Sequence, residues 1–340
     1  MRKNNKKKIF GGILAVIVIL LFMLLPLPYY IESPGGAENI SHFIKVDGHR
    51  LKKRGQYQLV YVQMQRATPF TYVMHFFKPH TDVLSASEVM GTDTNYQEYS
   101  RIQKYYMDSA VANAKYVALQ KSHYPARLVY QGIYVMQVQK NSSFKGRLAV
   151  GDVVEKVDGK QYTTAAGYQK AVNRGHHGRK LTLTVLRQGK EKQLTGHTVK
   201  LGNSKRYGIG IIMSDRLKVK TPVKITANME AIGGPSAGLM MTLQMYEQLD
   251  KHNLLQGRKV GGTGTIAPDG SVGEIGGVDK KVVSCARSGC QIFFAPEEHY
   301  PGEKSNYEVA QKTAKEIHTK MKIVPVKSVD DAIAYLKKTA

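Results

Sequence analysis

The stretch EAIGGPSAGLMMTL, residues 230–243, constrains the local structure more than any other part of the sequence. Two glycines and a proline stand directly before Ser236, and a mostly apolar run comes after it. That run predicts a buried helix, and proline is favoured near the first position of a helix. The alternating VKITANMEAI before it predicts a half-buried strand. One turn residue would be enough to join the strand to the helix. The additional glycine and proline residues therefore indicate that the backbone around Ser236 has a specific conformation.

The net charge and the N-terminal sequence indicate in which cellular compartment the chain lies. The chain has 340 residues with a net charge of +24, which fits nucleic acid or another polyanion as a partner. MRKNNKKK contains five cations, and the next 17 residues, IFGGILAVIVILLFMLL, contain none. As a helix, that run would span about 26 Å, near the thickness of a bilayer core. We therefore predict a cytoplasmic basic tail at 1–8, a transmembrane anchor at 9–27 and an extracellular remainder.

A secretory signal peptide is the alternative to this anchor. It should end in a small-x-small cleavage site, whereas PLPYYIESPGG continues from the apolar run with prolines and two tyrosines. The predicted localisation is the cell membrane, with a single pass. Because genomic DNA is absent outside the cell, we expect anionic lipids or wall polymers, and no nucleic acid, to meet the positive charge.

Cys285 and Cys290 are the only cysteines. Two thiols without nearby histidines make a weak metal site, and we expect no metal and no cofactor. SCARSGC is typical of a helix end, where cysteine packs as a small residue. Free thiols are favoured, and a disulfide is the alternative.

Residues 126–202 contain short strands separated by glycine-bearing turns, with a helix predicted in TAAGYQKAVNR. This segment resembles a bacterial PDZ domain, a small β-sandwich or barrel with helices. The resemblance is carried by Gly132-Ile133-Tyr134-Val135, Leu148, Gly151-Asp152 and Asp158-Gly159. It implies that an extended peptide binds at a sheet edge, with Gly132, Ile133 and Tyr134 forming a nest for a terminal carboxylate. A closed groove that serves only packing is the alternative.

The flanking segments complete an α+β, multidomain prediction. Residues 28–125 show a strand in QYQLVYVQM and helical spacing in MDSAVANAKYVALQ, but no chemical motif, so we expect them to pack on the rest of the chain. Residues 203–340 alternate strands and helices, as in an α/β domain. Within them we predict a hairpin closed by Pro268-Asp269-Gly270, a helix over VDKKVVSCARSG, a strand in IFFAP and a terminal helix capped by Ser328.

Ser236 has two interpretations on local grounds, a nucleophile or an ordinary helix cap. A serine hydroxyl needs a base to become nucleophilic. Unpaired N–H groups at a helix start stabilise an oxyanion, and Pro235 has none, so the candidate donors are Gly233, Gly234 and Ser236.

A lysine is a better candidate for the base than any histidine. His252, His299 and His318 come after Ser236, but all three stand in contexts typical of the surface. In the helix from Val278, Lys281 falls on a stripe of apolar and small residues, whereas Lys280 falls on a polar face. Lys280 is therefore predicted to be solvated and Lys281 to point inward, where burial lowers its pKa. A lysine that reaches back to the surface is the alternative.

The motifs GGPSAGLMMTL, GTGTI, GEIGGVDKKV and FFAP together resemble the proteolytic domain of Lon-type serine proteases. With the predicted anchor and PDZ domain, nearly the whole chain resembles the membrane-anchored, PDZ-containing Lon-like proteases of Gram-positive bacteria. The resemblance implies a Ser-Lys dyad of Ser236 and Lys281, with Thr263 orienting the lysine. Gly233 replaces an aspartate that is common in ATP-dependent Lon proteases. A G-x-x-x-x-G-K-[ST] loop is also absent, so we expect cleavage without ATP.

These patterns predict a membrane-anchored serine endopeptidase that cleaves extracellular peptides or exposed segments of secreted or membrane proteins. The resemblance suggests secreted signal peptides or membrane proteins as substrates, and a PDZ domain that recruits them. It leaves oligomerisation open. A catalytically inactive PDZ adaptor on the membrane is the alternative.

Overall fold

A computed structural model of the chain describes residues 2–48, 55–173, 176–202, 206–230, 232–250, 253–298 and 302–339, without the side chains of residues 2–8. The α-helices in these ranges, numbered in chain order, are α1 (Arg2–Leu24), α2 (Pro69–Met74), α3 (Ala86–Met90), α4 (Tyr96–Lys121), α5 (Ala165–Asn173), α6 (Gly238–Asp250), α7 (Val278–Arg287), α8 (Asn306–Glu316) and α9 (Val329–Lys338). Short 3₁₀ turns lie at Ile40–His42 and His75–Phe77.

The strands form five sheets within the same ranges. They are β1 (Tyr29–Asn39), β2 (Ile44–Val46), β3 (Gln56–Arg66), β4 (Asp82–Ser85), β5 (Arg127–Val138), β6 (Val153–Val157), β7 (Lys180–Arg187), β8 (Lys190–His197), β9 (Val199–Lys200), β10 (Tyr207–Gly208), β11 (Ile211–Lys220), β12 (Ile225–Ala227), β13 (Lys259–Gly262), β14 (Thr265–Ile266), β15 (Val272–Gly273), β16 (Ile292–Pro296) and β17 (Lys322–Val326). The chain therefore has a mixed α/β fold, and the predicted fold class is corrected in its N-terminal transmembrane helix, as described below.

The central sheet joins segments that are far apart in sequence. Its order is β17-β16-β13-β3-β1-β4, parallel from β17 to β3 and antiparallel from β3 to β4. In β16, Ile292 and Phe294 face a core shared with α4, α6 and α9, whereas Phe293 and Ala295 face α7 and α8. The alternation buries both faces, which explains why IFFAP is apolar throughout. Strands β1, β3 and β4 come from residues 28–125, so this segment extends the sheet that carries the C-terminal elements.

A second sheet, of order β11-β5-β6-β7-β8, has its own core around Phe144, Tyr168 and Leu183. Helix α5 packs on this core through Tyr168, Ala171 and Val172. Strand β11 lies beyond the predicted boundary at residue 202, yet it pairs with β5 along ten residues. The five-stranded sheet therefore includes a strand from beyond the end of the predicted PDZ segment.

The predicted membrane anchor is wrong. Within the described residues, no helix combines the length and apolarity needed to cross a membrane. Helix α1 ends at Leu24, two residues before Pro26, so its apolar part, residues 9–24, rises only about 24 Å against a bilayer core of about 30 Å. The predicted single-pass localisation in the cell membrane is therefore wrong as well. The exclusion of nucleic acid depended on an extracellular chain, so it no longer has that support. The basic side chains at 2–8 lie outside the described residues.

Other local predictions are confirmed. Strands β14 and β15 pair around Pro268-Asp269-Gly270, and Ser328 caps α9 with a reciprocal hydrogen bond to Asp331. Cys285 and Cys290 are buried free thiols. His318 is exposed, as its context predicted, whereas His252 and His299 lie outside the described residues.

Candidate active site

Ser236 lies in a turn between β12 and α6, two residues before the first helical residue, Gly238. The prediction placed Pro235 and Ser236 at the helix start, but the helix begins later for a local reason. The Ser236 carbonyl accepts hydrogen bonds from the Gly264 N–H (2.9 Å) and from Thr263 Oγ1 (3.1 Å). This carbonyl is therefore held by the segment after β13, and the side chain of Ser236, half-buried, faces a cleft.

Lys281, in the first turn of α7, reaches this serine. Its Nζ lies 2.9 Å from Ser236 Oγ and 3.2 Å from Thr263 Oγ1. Lys281 is 3 % exposed and Thr263 is fully buried. Because Thr263 Oγ1 also donates to the Ser236 carbonyl, one hydroxyl contacts both residues. The structure thus brings together the three side chains that the sequence singled out, and Lys281 points inward as its helical phase predicts.

The surroundings of Lys281 favour the neutral amine. Burial lowers the pKa of Lys281 to about 8, against a small opposing effect of the Glu32 carboxylate, which favours the charged form. With a pKa near 8, roughly a tenth of Lys281 is the neutral amine at pH 7, and the neutral amine is the form that a general base requires.

Lys280 is not solvated, contrary to the prediction. It is 1 % exposed, and its Nζ contacts the carboxylates of Asp82 on β4, Asp279 on α7 (3.2 Å) and Glu32 on β1 (3.5 Å). Burial opposes the charged form, but the hydrogen bond that Lys280 donates to the Asp82 carboxylate and the nearby negative charges outweigh it and raise the pKa of Lys280. At Lys280, the polar face of α7 is therefore covered by strands β1 and β4 of the N-terminal segment, whose carboxylates pair with the lysine, whereas Arg287 further along this face is exposed.

Sequence reasoning missed Glu32 and Asp82. Glu32 lies in the long strand β1 and Asp82 in the short strand β4, and their partner Lys280 lies about 200 residues or more further along the chain. No local pattern signals such a pair. The only hint is that a buried lysine at position 280 needs a negative charge beside it.

The predicted oxyanion donors divide into two groups. Gly234, at φ +86°, donates its N–H to the Gln103 carbonyl on α4 (3.0 Å), so this donor is engaged and its prediction is corrected. The N–H groups of Gly233 and Ser236 have no hydrogen-bond partner among the described residues. These two donors stay a prediction. Helix α4, which contributes Gln103, packs so close that a side chain on Gly233 would meet Gln103 Cβ at 3.0 Å.

A cleft of about 640 Å³ opens in front of Ser236 and Lys281. One side consists of the Gly233–Ser236 turn and of residues 274–276, which precede α7. The other side comes from β1, β3, α3 and α4, all within the N-terminal segment. This shape is large enough for several residues of an extended peptide.

The predicted nest at Gly132, Ile133 and Tyr134 is wrong, because these residues lie in a central strand. Within β5, Ile133 and Tyr134 pair with β11 on one side and β6 on the other, and Gly132 pairs with β11 while its Cα packs against the Val154 carbonyl. Their backbone groups are therefore not free for a carboxylate.

An apolar cavity of about 180 Å³ lies instead between α5 and the start of β11. Tyr168 and Val172 line it from α5, and Ile209, Gly210 and Ile211 line it from the chain entering β11. Sequence reasoning missed this cavity because β11 was assigned to the following domain.

A profile of the PDZ domain family matches residues 109–198, so the chain contains a PDZ domain. Solved structures also resemble part of the chain. A PDZ domain of an SdrC-like protein from Listeria monocytogenes is 21% identical, with a TM-score of 0.25, over 26% of this chain and 92% of its own. The solution structure of GtR34C from Geobacillus thermodenitrificans is 25% identical, with a TM-score of 0.23, over 24% of this chain and 95% of its own.

Among curated proteins, the chain resembles two Lon proteases over part of its length. The Lon protease of Aster yellows witches'-broom phytoplasma (strain AYWB) is 28% identical over 101 residues, 30% of this chain and 12% of that protein. The Lon protease of Trichlorobacter lovleyi (strain ATCC BAA-1151 / DSM 17278 / SZ) is 32% identical over 100 residues, 29% of this chain and 11% of that protein. The chain thus matches about one eighth of the length of these relatives, and the Lon-like membrane protease family is not established over the whole chain.

Proposed function

We propose that this protein is a serine endopeptidase that cleaves peptides, or exposed segments of proteins, without ATP. The observation on which the proposal depends most is the 2.9 Å separation between Lys281 Nζ and Ser236 Oγ in a site where the lysine is buried. The partial similarity to Lon proteases supports the same reaction class. The PDZ domain is consistent with protein or peptide partners.

In the first half-reaction, the neutral amine of Lys281 accepts the proton of the Ser236 hydroxyl. Ser236 Oγ then forms a bond to the carbonyl carbon of the scissile peptide, and the carbonyl electrons move to oxygen. The N–H groups of Gly233 and Ser236 are the proposed donors to this oxyanion. When the intermediate collapses, the C–N bond breaks and the Lys281 ammonium gives its proton to the leaving amine, which leaves an acyl-enzyme ester.

In the second half-reaction, a water molecule loses a proton to Lys281 and attacks the ester carbonyl. The ester C–O bond breaks, Ser236 Oγ recovers a proton from Lys281, and the carboxylic product departs. Thr263 Oγ1 contacts both Lys281 Nζ and the Ser236 carbonyl. We propose that it fixes the direction in which the amine points through both steps.

The alternative is a PDZ adaptor without catalytic activity. Its PDZ domain would bind a partner through the cavity between α5 and β11, and the Ser236 site would be structural. The desolvation of Lys281 weighs against it, since burying an amine beside a serine destabilises a fold that has no use for the pair.

A cleavage assay separates the two functions. The wild-type chain, Ser236→Ala and Lys281→Met are incubated with a mixed peptide library, and products are identified by mass spectrometry. The protease requires cleavage by the wild type and a loss of at least about a thousandfold in both variants. Equal product formation by all three would exclude the dyad, and no cleavage by a folded wild type that binds peptide would favour the adaptor.

A further inference from the structure

The wall of the cleft opposite Ser236 belongs to the N-terminal segment, in which the sequence shows no chemical motif. Tyr30 on β1, Met64 on β3, Met90 on α3 and Tyr99 on α4 line it. Four separate elements thus turn large side chains toward one space. The central sheet and the Lys280 ion pairs hold β1 and β4 against α7, so the wall is fixed relative to the dyad.

This wall is apolar but incompletely covered. Tyr30, Met90 and Tyr99 are half-buried, and Met64 is 36 % exposed. Tyr30 Oη approaches Met90 Sδ at 3.9 Å, so these two side chains are in contact. Burial, together with the smaller effect of the Glu32 charge, raises the pKa of Tyr99, so its hydroxyl stays protonated and uncharged. An apolar surface left open beside a reactive serine gains free energy when an apolar ligand covers it.

The charged groups of the cleft are mainly acidic. Glu32, Glu230 and Glu274 line it, against two lysines, Lys104 and Lys281. Glu274 Oε1 is buried and has no hydrogen-bond partner among the described residues. Such an oxygen accepts a donor from a ligand favourably and repels a second carboxylate. The cleft thus contains more acidic than basic residues, although the whole chain has a net charge of +24.

From these observations we infer that the wall is a specificity site for the substrate. It selects an extended peptide with a large apolar side chain, such as Leu, Met or Phe, beside the scissile bond, and it rejects acidic side chains there. This inference rests on the proposed peptidase function, and it assigns the choice of substrate to the N-terminal segment.

The test uses peptides that differ only at one position beside the scissile bond, with Leu, Phe, Met, Ala or Glu. Labelling of Ser236 by a fluorophosphonate, with Ser236→Ala as the blank, counts reactive sites independently of any peptide. We expect kcat/KM to be at least about tenfold higher for Leu, Phe and Met than for Ala, and lowest for Glu. Met64→Ala and Met90→Ala should reduce the ratio of the Leu rate to the Ala rate by about tenfold.

Two further variants test whether a change in the rate ratios comes from the wall itself or from misfolding. Met64→Lys, at an exposed site, should raise the Glu rate relative to the Leu rate. Phe77→Ala removes an equally apolar side chain of the same segment, 74 % exposed and away from the cleft, and should leave all ratios unchanged. If the wild type is labelled but shows no preference for apolar side chains, or if the wall variants leave the rate ratios unchanged, the specificity inference is overturned and the peptidase proposal is not. Absence of both labelling and cleavage would overturn the peptidase and, with it, this inference.

Discussion

Lys280 and Lys281 are consecutive in α7 and both are buried, yet their surroundings shift their pKa values in opposite directions. Lys280 contacts three carboxylates, which raise its pKa, whereas Lys281 contacts two hydroxyls and has its pKa lowered to about 8 by burial. Because the helix turns these adjacent amines toward different neighbours, we assign a structural role to Lys280 and a chemical role to Lys281. Substitutions at the two positions should therefore have separable effects on stability and on activity.

The pH dependence of cleavage should report Lys281. Only the neutral amine accepts the Ser236 proton, so kcat/KM should rise about tenfold per pH unit below pH 8 and level off above it. A pH–rate profile on a peptide without titratable groups measures this. If kcat/KM instead falls as the pH rises through 8, Lys281 is not the general base.

The same pKa predicts how stability depends on pH. In the unfolded chain, lysine titrates near 10.5, so between pH 8 and 10.5 the unfolded state binds a proton that the folded state lacks. The penalty for Lys281 is therefore complete below pH 8 and disappears as pH rises to 10.5. Lys281→Met should be more stable than wild type by up to about 3 kcal/mol below pH 8, and the difference should shrink above it, as measured by urea unfolding.

Replacing Glu32 should shift the pH profile. Its negative charge favours the charged form of Lys281, so Glu32→Gln lowers the pKa of Lys281 and moves the acid limb of kcat/KM to lower pH. Asp82→Asn is the matched control. It also removes a carboxylate from Lys280, but Asp82 does not act on Lys281, and the limb should stay in place. A shift of equal size in both variants would disprove a specific effect of Glu32.

The Thr263 hydroxyl should matter more than its methyl group. Thr263→Val removes the contact with Lys281 Nζ and the bond to the Ser236 carbonyl, and should lower kcat by about tenfold or more. Thr263→Ser keeps the hydroxyl and should restore most of the activity, although it loses a buried methyl group. If the two variants are equally impaired while circular dichroism shows both folded, Thr263 acts through packing alone.

Removing Lys280 should destabilise the fold. Lys280→Met leaves Glu32 and Asp279 beside each other without a cation, a change that costs several kcal/mol when both partners are buried. Asp82 is 58 % exposed, so we expect about 2 kcal/mol in urea unfolding. Lys312→Met, which removes an exposed pair with Glu316 at 3.6 Å, should cost no more than about 0.5 kcal/mol.

Helix α4 should transmit changes from the PDZ sheet to the turn before Ser236. Tyr105 Oη donates to the Asp215 carbonyl (2.5 Å) on β11 and lies within hydrogen-bond distance of Ser214 Oγ (2.8 Å), while the carbonyl of Gln103, two residues earlier, accepts from the Gly234 N–H. Tyr105→Phe should lower kcat a few-fold, as expected for the loss of about 1 kcal/mol of hydrogen bonding. The neighbouring Tyr106→Phe serves as the control, and equal kcat in the two variants would refute the coupling.

The sequence by itself determined the features that depend on short-range patterns. Helical phase placed Lys281 inward, turn residues placed the β14–β15 hairpin, and Ser328 marked the start of α9. These are interactions among residues within a few turns of one another, so periodicity and capping report them directly.

Only the tertiary structure decided which surface covers each face. Lys280 is buried because β1 and β4 arrive from residues 29–85, and the Gly132–Tyr134 strand is closed because β11 returns from residues 211–220. The Gly234 N–H is engaged because α4 lies against its turn. A local pattern records that a face is polar or apolar, but strand pairing and helix packing between distant segments decide what satisfies it.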